Sequence, residues 1–152
     1  MLTNRAKYAL KALLYLARKR GTGPIQASTI AEAESIPHKF LEAILIQLRN
    51  KGIIRSKVGK GGGHELVQDP DSIDVLTVIR AIDGPVAPLP CLSHTAYHRC
   101  DDCENESSCG VRQMLAKAHE LQVRQLTKMT LADGLADDGD AGARTKGRPA
   151  KA

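Results

Sequence analysis

A chain of 152 residues is long enough for one domain with a real hydrophobic core plus an extension. Its net charge of +5 is divided unevenly: residues 1–67 carry 12 Lys+Arg against 4 Asp+Glu, residues 68–134 carry 6 against 10, and the last 18 residues 4 against 3. No apolar leader opens the chain and charges interrupt every apolar run, so the expectation is a soluble, cytoplasmic protein with no membrane partner, whose basic front half meets a polyanion.

From Asn4 to about Arg20, Ala6, Tyr8, Leu10, Leu13, Leu14 and Ala17 recur at helical spacing, with Thr3 as N-cap and Gly21 as the stop. A short second helix is predicted from about Ser28 to Ala33, started either by Ser28 or by a Thr29–Glu32 capping box. Pro37 stands at the first turn of a third helix whose buried face is read as Phe40, Leu41, Ile44, Leu45 and Leu48, ending at Gly52. That leaves Pro37, His38, Lys39, Glu42, Ala43, Ile46, Gln47 and Asn50 turned outward. A strand-like run, Ile53 to Val58, a glycine turn from Gly59 to Gly63 and a return through His64–Val67 complete a hairpin.

Three helices followed by a glycine-tipped basic hairpin is the order of a winged helix-turn-helix, so the fold class is mainly α with a small β-hairpin. In that architecture the third helix enters the major groove and the wing lies along phosphates or the minor groove. Candidate contacts to double-stranded DNA are Ser28, His38, Lys39, Glu42 and Gln47 on the helices. Arg55, Lys57, Lys60, Gly61 and Gly62 are the candidates on the wing. A carboxylate such as Glu42 accepts from a cytosine amino group, and Lys39 reaches phosphate or guanine. The glycine run is no nucleotide phosphate loop, because it lacks the Gly-Lys-Ser/Thr ending and sits inside a hairpin.

A fourth helix is predicted from Ser72 to about Asp83, with Ile73, Val75, Leu76, Ile79 and Ile82 inward and Gly84 as terminator. Residues 1–84 are thus read as the DNA-binding domain. A cysteine-rich loop, 85–110, then leads to a long helix over 111–134. On that helix Val111, Met114, Leu115, Ala118, Leu121, Leu126 and Met129 form an apolar stripe too long for the small core to cover, which implies a seam between two subunits. Residues 135–152 read as a disordered basic tail, in which Gly147-Arg148-Pro149 resembles the core of an AT-hook and is expected to add only non-specific phosphate contacts.

All four cysteines fall in that loop: Cys91, Cys100, Cys103 and Cys109, spaced C-x8-C-x2-C-x5-C. The residues between them are polar and acidic, with no periodicity that buries cysteine as ordinary core. Disulfides require an oxidising compartment, for which the N-terminus supplies no route. Four thiolates are what a tetrahedral zinc or an iron–sulfur cluster requires, so the stretch reads as a metal site.

Residues 1–134 as a whole resemble the winged-helix iron–sulfur transcriptional regulators of the IscR, NsrR and RirA type. The resemblance is carried by LTNRAKYALKALLYLA, IPHKFLEAILIQLRNKGIIRSKVGKGGGHEL, IDVLTVIRAIDGP and the cysteine loop before a long helix. It implies a homodimeric regulator whose cluster state, responding to iron, redox or nitric oxide, controls operator binding. Cys91, Cys103 and Cys109 match the three cluster cysteines of that family. The interval from Cys91 to Cys103 is longer here and contains the additional Cys100. Where related regulators use a histidine beyond the last cysteine or an N-terminal aspartate as fourth ligand, this chain has Arg112 and Lys7, neither of which has a lone pair to give. Cys100 is therefore the expected fourth ligand, with His94 and His98 in reserve.

The cofactor expected is a [2Fe-2S] or [4Fe-4S] cluster, with zinc as the alternative. No catalytic constellation stands out. A Cys100/Cys103 redox pair is disfavoured, since it lies in an acidic loop and not at a helix N-terminus within a βαβ unit.

Overall fold

The computed structural model describes residues 2–140, with side chains through residue 136. Thr3 sets the start of α1 (Asn4–Arg18): its hydroxyl accepts from the Ala6 amide at 3.1 Å and bonds the Asp83 carboxylate, tying this end to a later helix. Ala6, Ala9 and Ala12 are fully buried, and such small side chains let neighbouring backbones come close. α2 (Ala27–Glu34) begins at Gln26, which makes no side-chain cap bond. The predicted caps Ser28 and Thr29 instead lie inside its first turn.

Ser35, in a left-handed conformation at φ 53°, ends α2. Its amide bonds Glu32 O and the Ile36 amide bonds Ala31 O, a reverse turn that satisfies carbonyls left over at the helix end. Ile36 is buried under this turn and Pro37 caps α3 (His38–Asn50), so the helix-turn-helix angle is fixed by one buried residue and one rigid one. Leu41, Ile44, Leu45 and Leu48 of α3 face the core, as the periodicity predicts. Phe40 does not: it is 53% exposed. At 100° per residue it lies on the flank of the helix, about 90° from the centre of the buried face.

The wing pairs β1 (Ile54–Lys57) antiparallel to β2 (Gly63–Leu66), with Ile54 opposite Leu66 and Lys57 opposite Gly63. Ile25 adds a further rung, exchanging two backbone hydrogen bonds with His64 at 2.8 and 2.9 Å. A Cβ at Gly63 would sit 2.4 Å from Ile25 backbone atoms, so the close approach that anchors the wing requires glycine.

α4 (Val75–Asp83) starts later than the predicted Ser72. Pro70–Ser72 is a separate 3-10 turn, and Asp74 caps the helix by accepting from the Thr77 amide at 2.8 Å. The helix expected over 111–134 is split. α5 spans Gly110–Lys128, the chain reverses at Met129–Thr130, and α6 (Leu131–Asp140) returns to pack on α1 with Leu131 almost wholly buried. Helical structure thus continues to Asp140, where the expectation was tail from 135. The Gly147-Arg148-Pro149 reading lies outside the described residues. The core is aliphatic and built from α1–α4, the wing base and α6. No helix among the described residues is long and apolar enough to cross a membrane.

Candidate functional site

Two surfaces carry the predicted chemistry. On the first, Ser28, His38, Lys39 and Glu42 are all exposed, on the first turn of α2 and the first half of α3. His38 Nδ1 lies 3.6 Å from Glu42 Oε1 along the helix. Gln47 sits apart from them, half-buried, with its Oε1 accepting from Arg5 at 2.7 Å. On the wing Arg55 and Lys57 project from the same face, as alternate strand residues must. Arg55 already holds Glu65 at 2.9 Å, while Lys60 and Gly61 are exposed at the tip. Gly62 is buried beneath the tip, and a Cβ there would meet Lys57 O at 2.2 Å, so its role is to permit the turn.

Ser56 and His64 cover the inner side of the hairpin, hydrogen-bonded at 2.9 Å. Burial, and then the charge of Arg49, hold the His64 imidazole below its ordinary pKa. Sequence reasoning missed this histidine, because its environment includes Ile25, a residue far away in the chain that pairs with it.

The second surface is the cysteine loop. All four thiols line one cavity of about 500 Å³, together with Leu89, Asp102, Glu104 and Arg112. Cys91 lies in a 3-10 turn, Pro90–Leu92, and is buried; the other three are half-buried. Cys109 is the N-cap of α5, its Sγ accepting from the Arg112 amide at 3.5 Å. Burial, followed by contact with the Cys91 thiol, pushes the Cys100 thiol up.

The loop is clamped by a residue the sequence reading passed over: the Arg99 guanidinium donates to the carbonyls of Cys103 and Glu104 at 2.7 and 2.8 Å. An arginine at the head of an acidic run was the available signal. His94 turns away and stacks on His119 with ring centroids 6.4 Å apart, lining a different cavity, while His98 is exposed. The donor chemistry and the space suit a thiolate-bound metal group. The thiols are gathered but not closed: among the described residues no three His, Cys, Asp or Glu side chains are close enough to hold one ion.

Comparison with known proteins settles the class. The Rrf2 family, described as iron-dependent transcriptional regulators, matches residues 2–137. The chain belongs to the Rrf2 family. An rrf2-like HTH-type transcriptional regulator from Rhodobacter capsulatus is 42% identical over 139 residues, covering 90% of this chain and 93% of that protein. Among solved structures, CymR, the global cysteine regulator of Bacillus subtilis, superposes with a TM-score of 0.73 at 26% identity, covering 90% of this chain and 96% of that one. IscR from T. potens superposes with a TM-score of 0.73 at 25% identity, covering 97% and 93%. The resemblance seen in the sequence is therefore borne out: this is a mainly helical, winged-helix Rrf2 transcriptional regulator and not an enzyme.

Proposed function

We propose that this Rrf2 regulator is a homodimeric, cytoplasmic repressor whose affinity for operator DNA is set by an iron–sulfur cluster, [2Fe-2S] or [4Fe-4S], held by Cys91, Cys100, Cys103 and Cys109. The observation that carries the reading is the convergence of all four thiols on one cavity at the N-terminus of α5. The iron dependence named for the family supports it. When bound, the cluster would supply a crosslink sensitive to iron supply, redox state or nitric oxide.

The chain's own residues do the rest. Ser28, His38, Lys39 and Glu42 meet base edges and phosphates, and Arg55, Lys57, Lys60 and Gly61 follow the backbone beside the groove. Val111, Met114 and Leu121 are exposed along one face of α5, with Met114 at 78%, and this apolar face is the dimer seam. Cys109 caps the same helix. Releasing the Cys91–Cys109 arm changes the support at the seam's end, and with it the spacing of the two recognition helices.

Anaerobic purification with a visible spectrum, combined with iron, sulfide and zinc analysis, tests the reading. A brown protein with iron and acid-labile sulfide is expected, and Cys100→Ala should lose most of its iron. Removing the cluster should change operator affinity by roughly tenfold, inside the usual range for coupled sites. A colourless protein with one zinc per chain, or operator affinity unchanged by chelation, overturns the sensing part.

A further inference from the structure

The exposed side of α3 is not uniformly polar. Phe40 (53% exposed), Ala43 and Ile46 (49% exposed) follow one another at intervals of three residues and form an apolar ridge obliquely across the face opposite the core. At 100° per residue the three span about 120°, with Ala43 in the middle. Single exposed apolar side chains need no explanation. A contiguous ridge on the helix that lies beside the wing does, since about half of each large side chain is left in water.

We infer that this ridge reads thymine, by seating the 5-methyl groups of thymine bases in the major groove against Ala43 and its flanking Phe40 and Ile46. The inference rests on the DNA-binding role proposed above and names what the helix recognises. The thymine methyl is the apolar feature of base edges in the major groove, and alanine and phenylalanine are among the side chains that meet it.

The surroundings favour DNA over a protein partner as occupant. Lys39 and Gln47, the latter bonded to Arg5, lie within the same outward arc, and His38 and Glu42 border one side. The ridge belongs to the stretch of residues 1–67 that carries 12 Lys+Arg against 4 Asp+Glu. Lys39 and Arg5 beside an apolar strip match phosphates beside a row of methyl groups. They would instead leave charges to be desolvated against an apolar protein surface.

The test uses duplexes selected from a random pool by the full-length protein. In each selected duplex the thymines are replaced one at a time by deoxyuridine, which removes only the methyl group. Wild type should bind the deoxyuridine duplex about fourfold more weakly at one or more positions, the loss expected for one buried methyl-sized group. Phe40→Ala or Ile46→Ala should bring the ratio at such a position close to one while keeping the salt dependence, which comes from phosphate contacts. Both side chains are exposed, so unchanged thermal melting verifies the fold. Selected sites that tolerate deoxyuridine everywhere overturn the inference and leave the DNA-binding role standing. So do variants that keep the wild-type discrimination. A pool from which nothing is enriched removes the DNA-binding role and this inference together.

Discussion

The winged-helix half and the cysteine loop are built on opposite principles. In the first, Leu13, Ile30, Leu41, Ile44, Leu45, Leu48 and Ile54 are all but inaccessible to solvent, so aliphatic burial dominates in holding α1–α3 and the wing base together. The loop from Pro85 to Cys109 contributes only Cys91 and Ser93 as buried residues. Its order comes from local bonds: Arg99 on two carbonyls, Ser93 Oγ accepting from the Ala96 amide at 3.0 Å, and Asn105 accepting from the Ser107 amide at 2.9 Å. A segment without its own core opens locally at small cost, and sensing segments are drawn from such regions. The winged-helix half holds its shape; the loop opens more easily.

The largest expected effect tests that division directly. Leu41→Ala removes a fully buried side chain and should lower stability by roughly 2–5 kcal/mol in urea unfolding. Cys103→Ala, measured with chelator present, should change stability by less than about 0.5 kcal/mol, because the half-buried thiol supports no core. Equal destabilisation by the two substitutions would mean that the loop is part of the cooperative unit, and the contrast would fail.

The same contrast explains what the sequence made legible. Helical periodicity found α1, α3 and α4 because each has one face in an aliphatic core, and the glycine run found the wing. Phe40 was misplaced because a period-3.6 count treats a flank residue like a central one, and the hydrophobic scale cannot tell a buried face from an exposed flank. α6 was missed because Leu131 and Leu135 sit among Ala, Asp and Gly, a composition typical of tails; only tertiary packing on α1 gives it order. The cysteines were legible as a group by clustering alone. That they converge without closing, and that Arg99 clamps their loop, depend on backbone geometry that no spacing rule encodes.

A second test sharpens the comparison from the DNA side. Neutralising Arg55 and Lys57 to glutamine should weaken binding to all duplexes alike and reduce the salt slope by about one unit per lost phosphate contact. Arg55 must exchange its Glu65 partner for a phosphate, so Lys57→Gln should have the larger effect of the two single variants. Neither should alter thermal melting, since both side chains are exposed. An unchanged slope would remove the wing from the interface.

The smallest effect probes the seam between the wing and the core. His64 is half-buried, bonded to Ser56 and held below its ordinary pKa by burial and then by Arg49. The folded state therefore binds fewer protons at this position than the unfolded chain, whose imidazole titrates near 6.5. Its contribution to stability is complete above about pH 6.5 and is lost as the pH falls through that value toward the folded pKa. Thermal melting between about pH 7.5 and 5.5 should show the wild type losing roughly 1–3 °C more than His64→Gln, a small figure because the ring is only partly withdrawn from water. If the two melt in parallel, the wing does not hold its histidine neutral. The Ile25 bridge would then be a looser attachment than its two backbone bonds imply, and the rigid half of the molecule would end at α3.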